Sequence, residues 1–72
     1  MNIWDYRVVR KKFPNGEVVF GIHEVYYDKH RNPKYCSNGP MEPTGESIRE
    51  LRAELSRMLK ALEKPILKHE DF

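Results

Sequence analysis

His23 and Glu24, with Tyr26 and Tyr27 close behind them, come nearest to an acid–base group in this chain. An imidazole can take up a proton near neutral pH, and a neighbouring carboxylate can orient it. A specific signal would add a second carboxylate or a nucleophile paired with a base, and the sequence places neither beside these residues. We therefore expect His23 and the tyrosines to be sheet residues with polar tips. An enzyme is the least favoured class, and no catalytic residue is assigned.

A metal site would have to draw on three histidines and one cysteine. These residues are His23, His30, His69 and Cys36. None of their spacings matches a zinc-ligand pattern, and His23-Glu24 lacks the second histidine four residues on that a zinc protease helix carries. We expect neither a metal nor a cofactor, and we expect Cys36 to be a small buried or half-buried side chain.

Binding is better supported than catalysis, because the N-terminal half combines aromatic and basic side chains. The candidate partner-binding residues are Trp4, Tyr6, Arg7, Arg10 and Tyr27. Tryptophan, tyrosine and arginine dominate the energetics of protein interfaces. The sequence thus predicts a non-catalytic binding module that associates with itself or with a protein partner. The same residues could instead fill an intramolecular core, with the tail after Pro65 completing it.

A small regulatory nucleic-acid binder is the alternative function. Arg7, Arg10, Lys11 and Lys12 crowd one short stretch, and aromatic residues interleaved with basic ones can stack on unpaired bases. Against this, 13 Lys and Arg residues are nearly balanced by 11 Asp and Glu, for a net charge of +2. A dedicated nucleic-acid binder usually carries a larger or more segregated excess. A solvated strand whose charges resist aggregation explains the basic stretch more simply.

A β-hairpin is predicted to carry these side chains. Residues 3–12 and 18–28 are rich in β-branched and aromatic types, and Asn15-Gly16 between them is typical of a two-residue turn. Such a turn would place Arg7 opposite Glu24 as a cross-strand salt bridge. Both faces of the hairpin then carry apolar residues, and a single helix can cover only one of them.

An amphipathic helix over residues 48–63 is the most legible element of the chain. Ser47 as N-cap and Glu50 three residues later predict a capping box. Apolar side chains recur along this helix at helical spacing: Ile48, Leu51, Leu55, Met58, Leu59 and Leu62. We expect this row to pack on the hairpin, with Leu55 and Leu59 at the centre of the core.

The resulting prediction is an α+β fold, with a three-stranded antiparallel sheet in the order 1-2-3 and one C-terminal helix packed on one face. The third strand is expected over residues 34–38, after a turn at Asn32-Pro33. The tail, residues 65–72, could fray or could pack on the sheet as a last extended segment. A partner is expected to bind the sheet face or edge that the helix leaves uncovered.

Length and composition limit the organisation of the chain. Its 72 residues predict one small domain, residues 1–72, with a thin core of the kind that self-association often supplements. Cys36 is the single cysteine, so an internal disulfide cannot form and a reducing compartment fits best. The sequence shows neither an apolar run near the ~20 residues that span a membrane nor the basic-then-apolar order of a signal peptide. We expect a cytoplasmic protein that does not bind membranes.

The order of hairpin, short strand and helix resembles the antitoxins of HicB type. In that family a sheet leads through a Gly-acid-Thr/Ser step into a helix that packs across it, and Gly45-Glu46-Ser47 stands at this step here. The resemblance covers roughly residues 6–63 in layout and is specific over residues 45–51. The Pro-Asp-Leu-Pro-Gly run and the C-terminal DNA-binding extension of the family have no counterpart in these 72 residues. The resemblance implies partner binding or toxin neutralisation.

The chain also resembles a family of short uncharacterised bacterial proteins. The segments that carry this second resemblance are IWDYRVV, GIHEVYYD and GESIRELR. It implies no known activity.

Overall fold

One helix and a four-stranded sheet make up residues 3–72, the part of the chain that the computed structural model describes. The elements in chain order are β1 (Ile3–Lys12), β2 (Val18–Tyr27), β3 (Pro33–Cys36), α1 (Ile48–Ala61), β4 (Leu67–Lys68) and a 3-10 turn (His69–Asp71). The sheet is curled and mixed, with the strand order β3-β2-β1-β4. The predicted α+β class with a single helix is confirmed.

The fourth strand comes from the C-terminal tail. β4 runs parallel to β1, with Val9 opposite Leu67 and Arg10 opposite Lys68. The outer edge of β1 would otherwise present unpaired N–H and C=O groups, and β4 pairs with part of that edge. The prediction of a three-stranded sheet is therefore wrong in number, and the added strand makes the sheet mixed, although the antiparallel pairing and the order of the three predicted strands hold.

The hairpin between β1 and β2 forms, but its turn has three residues rather than two. The Phe13 N–H donates to the Glu17 carbonyl at 2.8 Å, and the Gly16 N–H donates to the Phe13 carbonyl at 2.9 Å. Gly16 has a φ of 88°, the left-handed conformation that closes a type I turn with a glycine bulge. Pro14 belongs to the turn because its fixed φ suits the first central position of a type I turn.

The extra turn residue shifts the pairing of the two strands by one position. Arg7 lies opposite His23 and not opposite Glu24, so the predicted salt bridge between Arg7 and Glu24 is wrong. Successive side chains of a strand point to opposite sides of the sheet. We name the two sides the helix face and the tail face, after the elements that cover them. The helix face carries Trp4, Tyr6, Val8, Arg10, Phe20, Ile22, Glu24 and Tyr26, and the tail face carries Asp5, Arg7, Val9, His23, Val25 and Tyr27.

A small apolar core lies between α1 and the helix face. Its buried members are Tyr6, Val8, Met58 and Ala61, with Trp4, Ile22 and Met41 packed against them. The expectation that Leu55 and Leu59 lie at its centre is wrong, since their side chains are 48% and 66% exposed. Met58 and Ala61, three residues apart, form the line of the helix that meets the sheet, and the two leucines lie on the neighbouring line.

The tail face, which the helix leaves uncovered and where we expected a partner to bind, is buried at its centre. The buried residues there are Arg7, Val9, His23 and Val25. The tail lies along this side of the sheet. Arg7 Nη2 donates to the Pro65 carbonyl at 2.9 Å, and the ring centroids of His23 and His69 are 6.1 Å apart. The tail thus closes the face that α1 does not reach.

The start of α1 follows in part the capping pattern read from the sequence. Ser47 Oγ accepts the Glu50 N–H at 3.1 Å, and the Glu50 carboxylate accepts the Glu46 N–H at 2.9 Å. The first bond satisfies an N–H group that has no partner within the helix and confirms Ser47 as the N-cap. The second differs from the predicted capping box, in which Glu50 would accept the Ser47 N–H instead of the Glu46 N–H. The helix ends at Ala61 and not at Glu63.

Candidate interaction surface

The five residues predicted to bind a partner do not share a surface. Trp4, Tyr6 and Arg10 lie on the helix face, whereas Arg7 and Tyr27 lie on the tail face. Alternation along β1 already separates Arg7 from Trp4, Tyr6 and Arg10, whatever the register. The three-residue turn moved Tyr27 from the side of Trp4 to the side of Arg7. On each face the structure brings one pair of these residues together, and each pair is engaged within the chain.

The aromatic pair on the helix face packs against α1. The ring centroids of Trp4 and Tyr6 lie 5.1 Å apart in an edge-to-face arrangement. The Arg57 guanidinium lies 4.6 Å from the Trp4 ring centroid and 5.1 Å from the Tyr6 ring centroid, within the range of cation–π attraction. Tyr6 is buried and Trp4 is half-buried. These aromatic side chains therefore join the helix to the sheet instead of forming an exposed hot spot.

The Tyr6 hydroxyl has a shifted pKa because of where it lies. It donates a hydrogen bond to the Glu54 carboxylate, which also accepts a bond from Arg57 Nη1 at 3.1 Å. Burial, together with the hydrogen bond to Glu54 and the charge of that carboxylate, raises the pKa of Tyr6 to about 12. The phenol consequently keeps its proton at neutral pH and serves as a donor.

Arg7 and Tyr27 form the second pair, and Arg7 also binds the tail. Arg7 is only 9% exposed, and its guanidinium donates to the Tyr27 hydroxyl at 2.8 Å and to the Pro65 carbonyl at 2.9 Å. Its Nε is buried and has no hydrogen-bond partner among residues 3–72. Charge-assisted bonds to neutral oxygens offset part of the cost of burying the cation. Arg7 is therefore a structural residue and is not open to a partner.

The basic stretch of β1 is divided in the same way. Arg10 Nη1 lies 3.9 Å from Glu70 Oε1, so a second arginine contacts the tail. Lys11 lies with its ammonium 5.4 Å from the Phe13 ring centroid, and Lys12 is exposed. Because residues alternate along a strand, Arg10 and Lys12 share one face and Lys11 lies on the other. The stretch does not form one basic patch.

The acid–base group considered from the sequence is not assembled. His23 is buried on the tail face, with Nδ1 2.9 Å from the Ser37 carbonyl oxygen. A carbonyl only accepts, so this nitrogen carries the proton if the contact is a hydrogen bond. Glu24 lies on the helix face, where its carboxylate is 3.5 Å from the Tyr26 hydroxyl. The imidazole and the carboxylate are on opposite sides of the sheet.

The pockets on the surface offer little room for a small molecule. One pocket of about 230 Å³ borders the start of β1, and one of about 200 Å³ borders β4. Pockets for drug-sized ligands measure roughly 300–1,000 Å³.

Among residues 3–72, no three His, Cys, Asp or Glu side chains lie close enough together to hold a metal ion. Cys36 is half-buried, and burial raises the pKa of its thiol. Nor does the described part of the chain contain a helix with the length and apolar character to cross a bilayer.

An open row of apolar side chains lies on α1 and its C-cap. We call it the α1 stripe, and it consists of Ile48, Leu55, Leu59 and Leu62, which are 72%, 48%, 66% and 64% exposed. Leu59 lies four positions after Leu55, Leu62 lies three positions after Leu59, and Ile48 lies seven positions before Leu55. This is the spacing of a coiled-coil seam. Other apolar side chains are exposed on the sheet, among them Val19 and Phe20 of β2, which are 44% and 58% exposed. The stripe differs from them in its coiled-coil spacing along one helix.

Sequence reasoning missed this surface because it treated the apolar positions of α1 as one row. Two rows are present: Met58 and Ala61 face the sheet, with half-buried Leu51 on the same side, and the α1 stripe runs beside them. The signal that could have separated the rows is Ala61, a small apolar residue three positions after Met58. It widens the apolar arc beyond what one line of contact with a sheet can bury.

Charges flank the α1 stripe asymmetrically. Arg49 and Arg52 lie near its N-terminal end and Glu63 lies at its C-terminal end, and all three are exposed. The Glu63 N–H donates to the Lys60 carbonyl at 3.1 Å, so a 3-10-type turn that includes Glu63 follows directly on α1. Within residues 3–72, none of these three side chains forms an ion pair. One end of the stripe is thus bordered by two cations, and the other end by a carboxylate.

Comparison with known proteins adds no relative to this description. No protein-family model, curated protein or solved structure matches the chain.

Proposed function

We propose that this protein is a small non-catalytic binding module that self-associates, and that the α1 stripe is its self-association surface. The observation that carries the proposal is the exposure of three leucines and one isoleucine at coiled-coil spacing on a well-capped helix. Contiguous exposed apolar patches mark interaction sites more often than scattered apolar residues do. A second copy of the chain is the occupant we infer.

The small size of the core supports self-association. The buried cluster between sheet and helix has four members among the described residues, and the single cysteine rules out an internal disulfide. Domains of this size often need a metal, a disulfide or oligomerisation to reach useful stability. Pairing two α1 helices would remove the stripe from water and extend the apolar core across the contact.

The placement of three titratable groups supports the non-catalytic part of the proposal. His23 and Glu24 lie on opposite faces, and the Tyr6 phenol is committed to Glu54 as a donor. The two pockets are small and border the sheet ends. These groups hold the fold together, and none of them converges with another on a cavity.

The nucleic-acid alternative, including an antitoxin-like role, is weakened because both of its arginines contact the tail. Arg7 is buried against Pro65 and Arg10 pairs with Glu70. A nucleic-acid binder would show affinity for DNA or RNA that falls steeply as salt rises, because each phosphate contact releases counterions. We expect fluorescence anisotropy with labelled single-stranded and duplex oligonucleotides to show no such salt-dependent binding. Tight, salt-dependent binding would replace our proposal with this alternative.

Light scattering after size-exclusion chromatography tests the proposal directly. The wild-type chain is expected to be a dimer at high micromolar concentration and to dissociate on dilution. Leu59→Gln should shift this equilibrium strongly towards monomer. Ala53→Gln is the matched control, because Ala53 is an exposed residue of α1 outside the stripe and glutamine suits both helix positions equally.

The results of this light-scattering test either support or overturn the proposal. Circular dichroism should show that both variants keep the wild-type secondary structure, because neither position is buried. A wild-type chain that stays monomeric at several hundred micromolar overturns the proposal. So does a folded Leu59→Gln variant that dimerises as tightly as the wild type, since the contact must then lie elsewhere.

A further inference from the structure

We infer that two copies of this chain pair their α1 helices antiparallel, about a two-fold axis that passes between Leu55 and Leu59. The inference rests on the proposed self-association and adds the orientation and the residues that set it. Most homodimers are two-fold symmetric, and in such a contact the same surface patch meets itself. A helix stripe can do this with the two helices parallel or antiparallel, and the flanking charges distinguish the two arrangements.

In the antiparallel arrangement the apolar positions interlock. Leu55 of one chain meets Leu59 of the second copy on either side of the axis, and knobs of one helix fill holes between residues of the other. One layer further out, Arg52 lies against Leu62 of the second copy. The long aliphatic part of an arginine can cover a leucine while its guanidinium reaches the edge of the contact.

Charge complementarity favours this orientation. Arg49 of one chain lies opposite Glu63 of the second copy, and the two-fold axis repeats this pair at the other end. The guanidinium of Arg52 reaches the same carboxylate. None of these three side chains has an ion-pair partner among residues 3–72. Opposite charges beside an apolar seam select the orientation of paired helices.

The parallel arrangement brings like charges together. It would set Arg52 against Arg52 of the second copy inside the seam and leave Glu63 far from either arginine. Like charges placed opposite each other act as a repulsive element against a competing pairing. The same exposed residues that border the α1 stripe thus oppose one orientation and support the other.

The contact is small, which sets the expected affinity. α1 has 14 residues, and its stripe offers four apolar side chains per chain. Contacts at the low end of the interface size range belong to weak, reversible complexes. We expect a dissociation constant on the order of micromolar or weaker.

Cysteine cross-linking tests the orientation. In a Cys36→Ser background, one chain carries Arg52→Cys and another carries Leu62→Cys, and the two are mixed under mild oxidation. An antiparallel pair predicts a disulfide between the two different chains. It predicts little cross-linking of either chain alone, because the same position in two antiparallel copies is separated by about ten residues, roughly 15 Å along the helix.

Charge reversal provides an independent readout. Arg49→Glu and Glu63→Arg should each raise the dimer dissociation constant about three- to tenfold, since each places like charges opposite one another at both ends. The double variant restores complementary pairs and should return to within about twofold of the wild type.

A wrong helix orientation, a wrong ion pair and a lack of self-association would each give a different result. Efficient cross-linking of each chain with itself shows a parallel dimer and overturns the orientation while leaving self-association intact. Failure of the double variant to recover affinity overturns the pairing of Arg49 with Glu63. A wild-type chain that remains monomeric in light scattering removes the proposed function, and the orientation with it.

Discussion

The Tyr6 hydroxyl of β1 donates a hydrogen bond to the Glu54 carboxylate of α1, across 48 positions of sequence. The bond lies at the edge of the core between helix and sheet, and Arg57 contacts both partners. Burial and the acceptor carboxylate raise the pKa of Tyr6 to about 12. Because this bond exists only when the helix is docked, the protonation of Tyr6 is linked to folding.

The linkage predicts a loss of stability in alkali. The pKa of Tyr6 is about 12 in the folded chain, against an ordinary value of 10.0, so between these values the folded state holds a proton that the unfolded state has released. The contribution is fully present below about pH 10 and falls as pH rises towards 12. Urea unfolding of the wild type and Tyr6→Phe should show that the stability difference between them shrinks over this range. A constant difference contradicts the linkage.

Met58 and Leu59 are neighbours in sequence with opposite environments. Met58→Ala empties a core position and should lower the free energy of unfolding by about 2–5 kcal/mol. Leu59→Ala is its control, because Leu59 is largely exposed in one chain. In dilute monomeric protein it should cost under about 1 kcal/mol. Denaturant unfolding at low concentration measures both, and equal losses would show that the leucine also packs on the sheet.

Gly45 is needed where the chain enters α1. A Cβ at this position would lie 2.6 Å from the Leu51 backbone nitrogen, and that nitrogen belongs to a helix and cannot move away. Gly45→Ala should therefore destabilise the fold by about 1–3 kcal/mol. Gly39→Ala is the matched control, since a Cβ there meets nothing within 4 Å. Thermal melts of the two variants check this, and similar melting temperatures would contradict the close approach.

Arg7 and Arg10 both contact the tail, but with different burial. Arg7→Gln removes two charge-assisted bonds and leaves the Pro65 carbonyl and the Tyr27 hydroxyl in need of partners. We expect a loss of about 1–3 kcal/mol and faster hydrogen exchange in β4. Arg10→Gln breaks only the exposed contact with Glu70 and should cost at most about 1 kcal/mol. An Arg7 variant as stable as the Arg10 variant would show that the tail is held by other contacts.

Arg31 has a φ of 63° in the turn between β2 and β3. The turn is closed by Asp28, whose carboxylate accepts the N–H groups of His30 and Asn32 at 2.8 and 3.0 Å. These bonds lower the pKa of Asp28. A left-handed conformation is unfavourable for most side chains and is tolerated by asparagine. Arg31→Asn should raise stability by about 0.5–1 kcal/mol in thermal or urea unfolding, and a loss would show that the arginine side chain contributes contacts that outweigh the strain.

Local features of the fold could be predicted from the sequence because each depends on a few neighbouring residues. The N-cap at Ser47 needs only a hydroxyl just before the first turn of the helix. The hairpin needs two β-rich runs around a turn sequence. The predicted register is wrong, because Pro14 is a third residue of the turn, and the shift places Tyr27 on the side of Arg7 instead of the side of Trp4.

The sequence by itself thus determined the α+β class, the hairpin and the start of α1. Only the tertiary structure decided which line of the helix meets the sheet, that the tail becomes β4, and that Arg7 is buried beneath it. Those outcomes depend on contacts between residues far apart in sequence, such as Tyr6 with Glu54 and Arg7 with Pro65. The periodicity of apolar residues within one segment cannot predict such contacts. For the same reason the candidate surface moved from the sheet to the α1 stripe: an apolar row indicates that a helix must be covered, and only packing shows which part remains open.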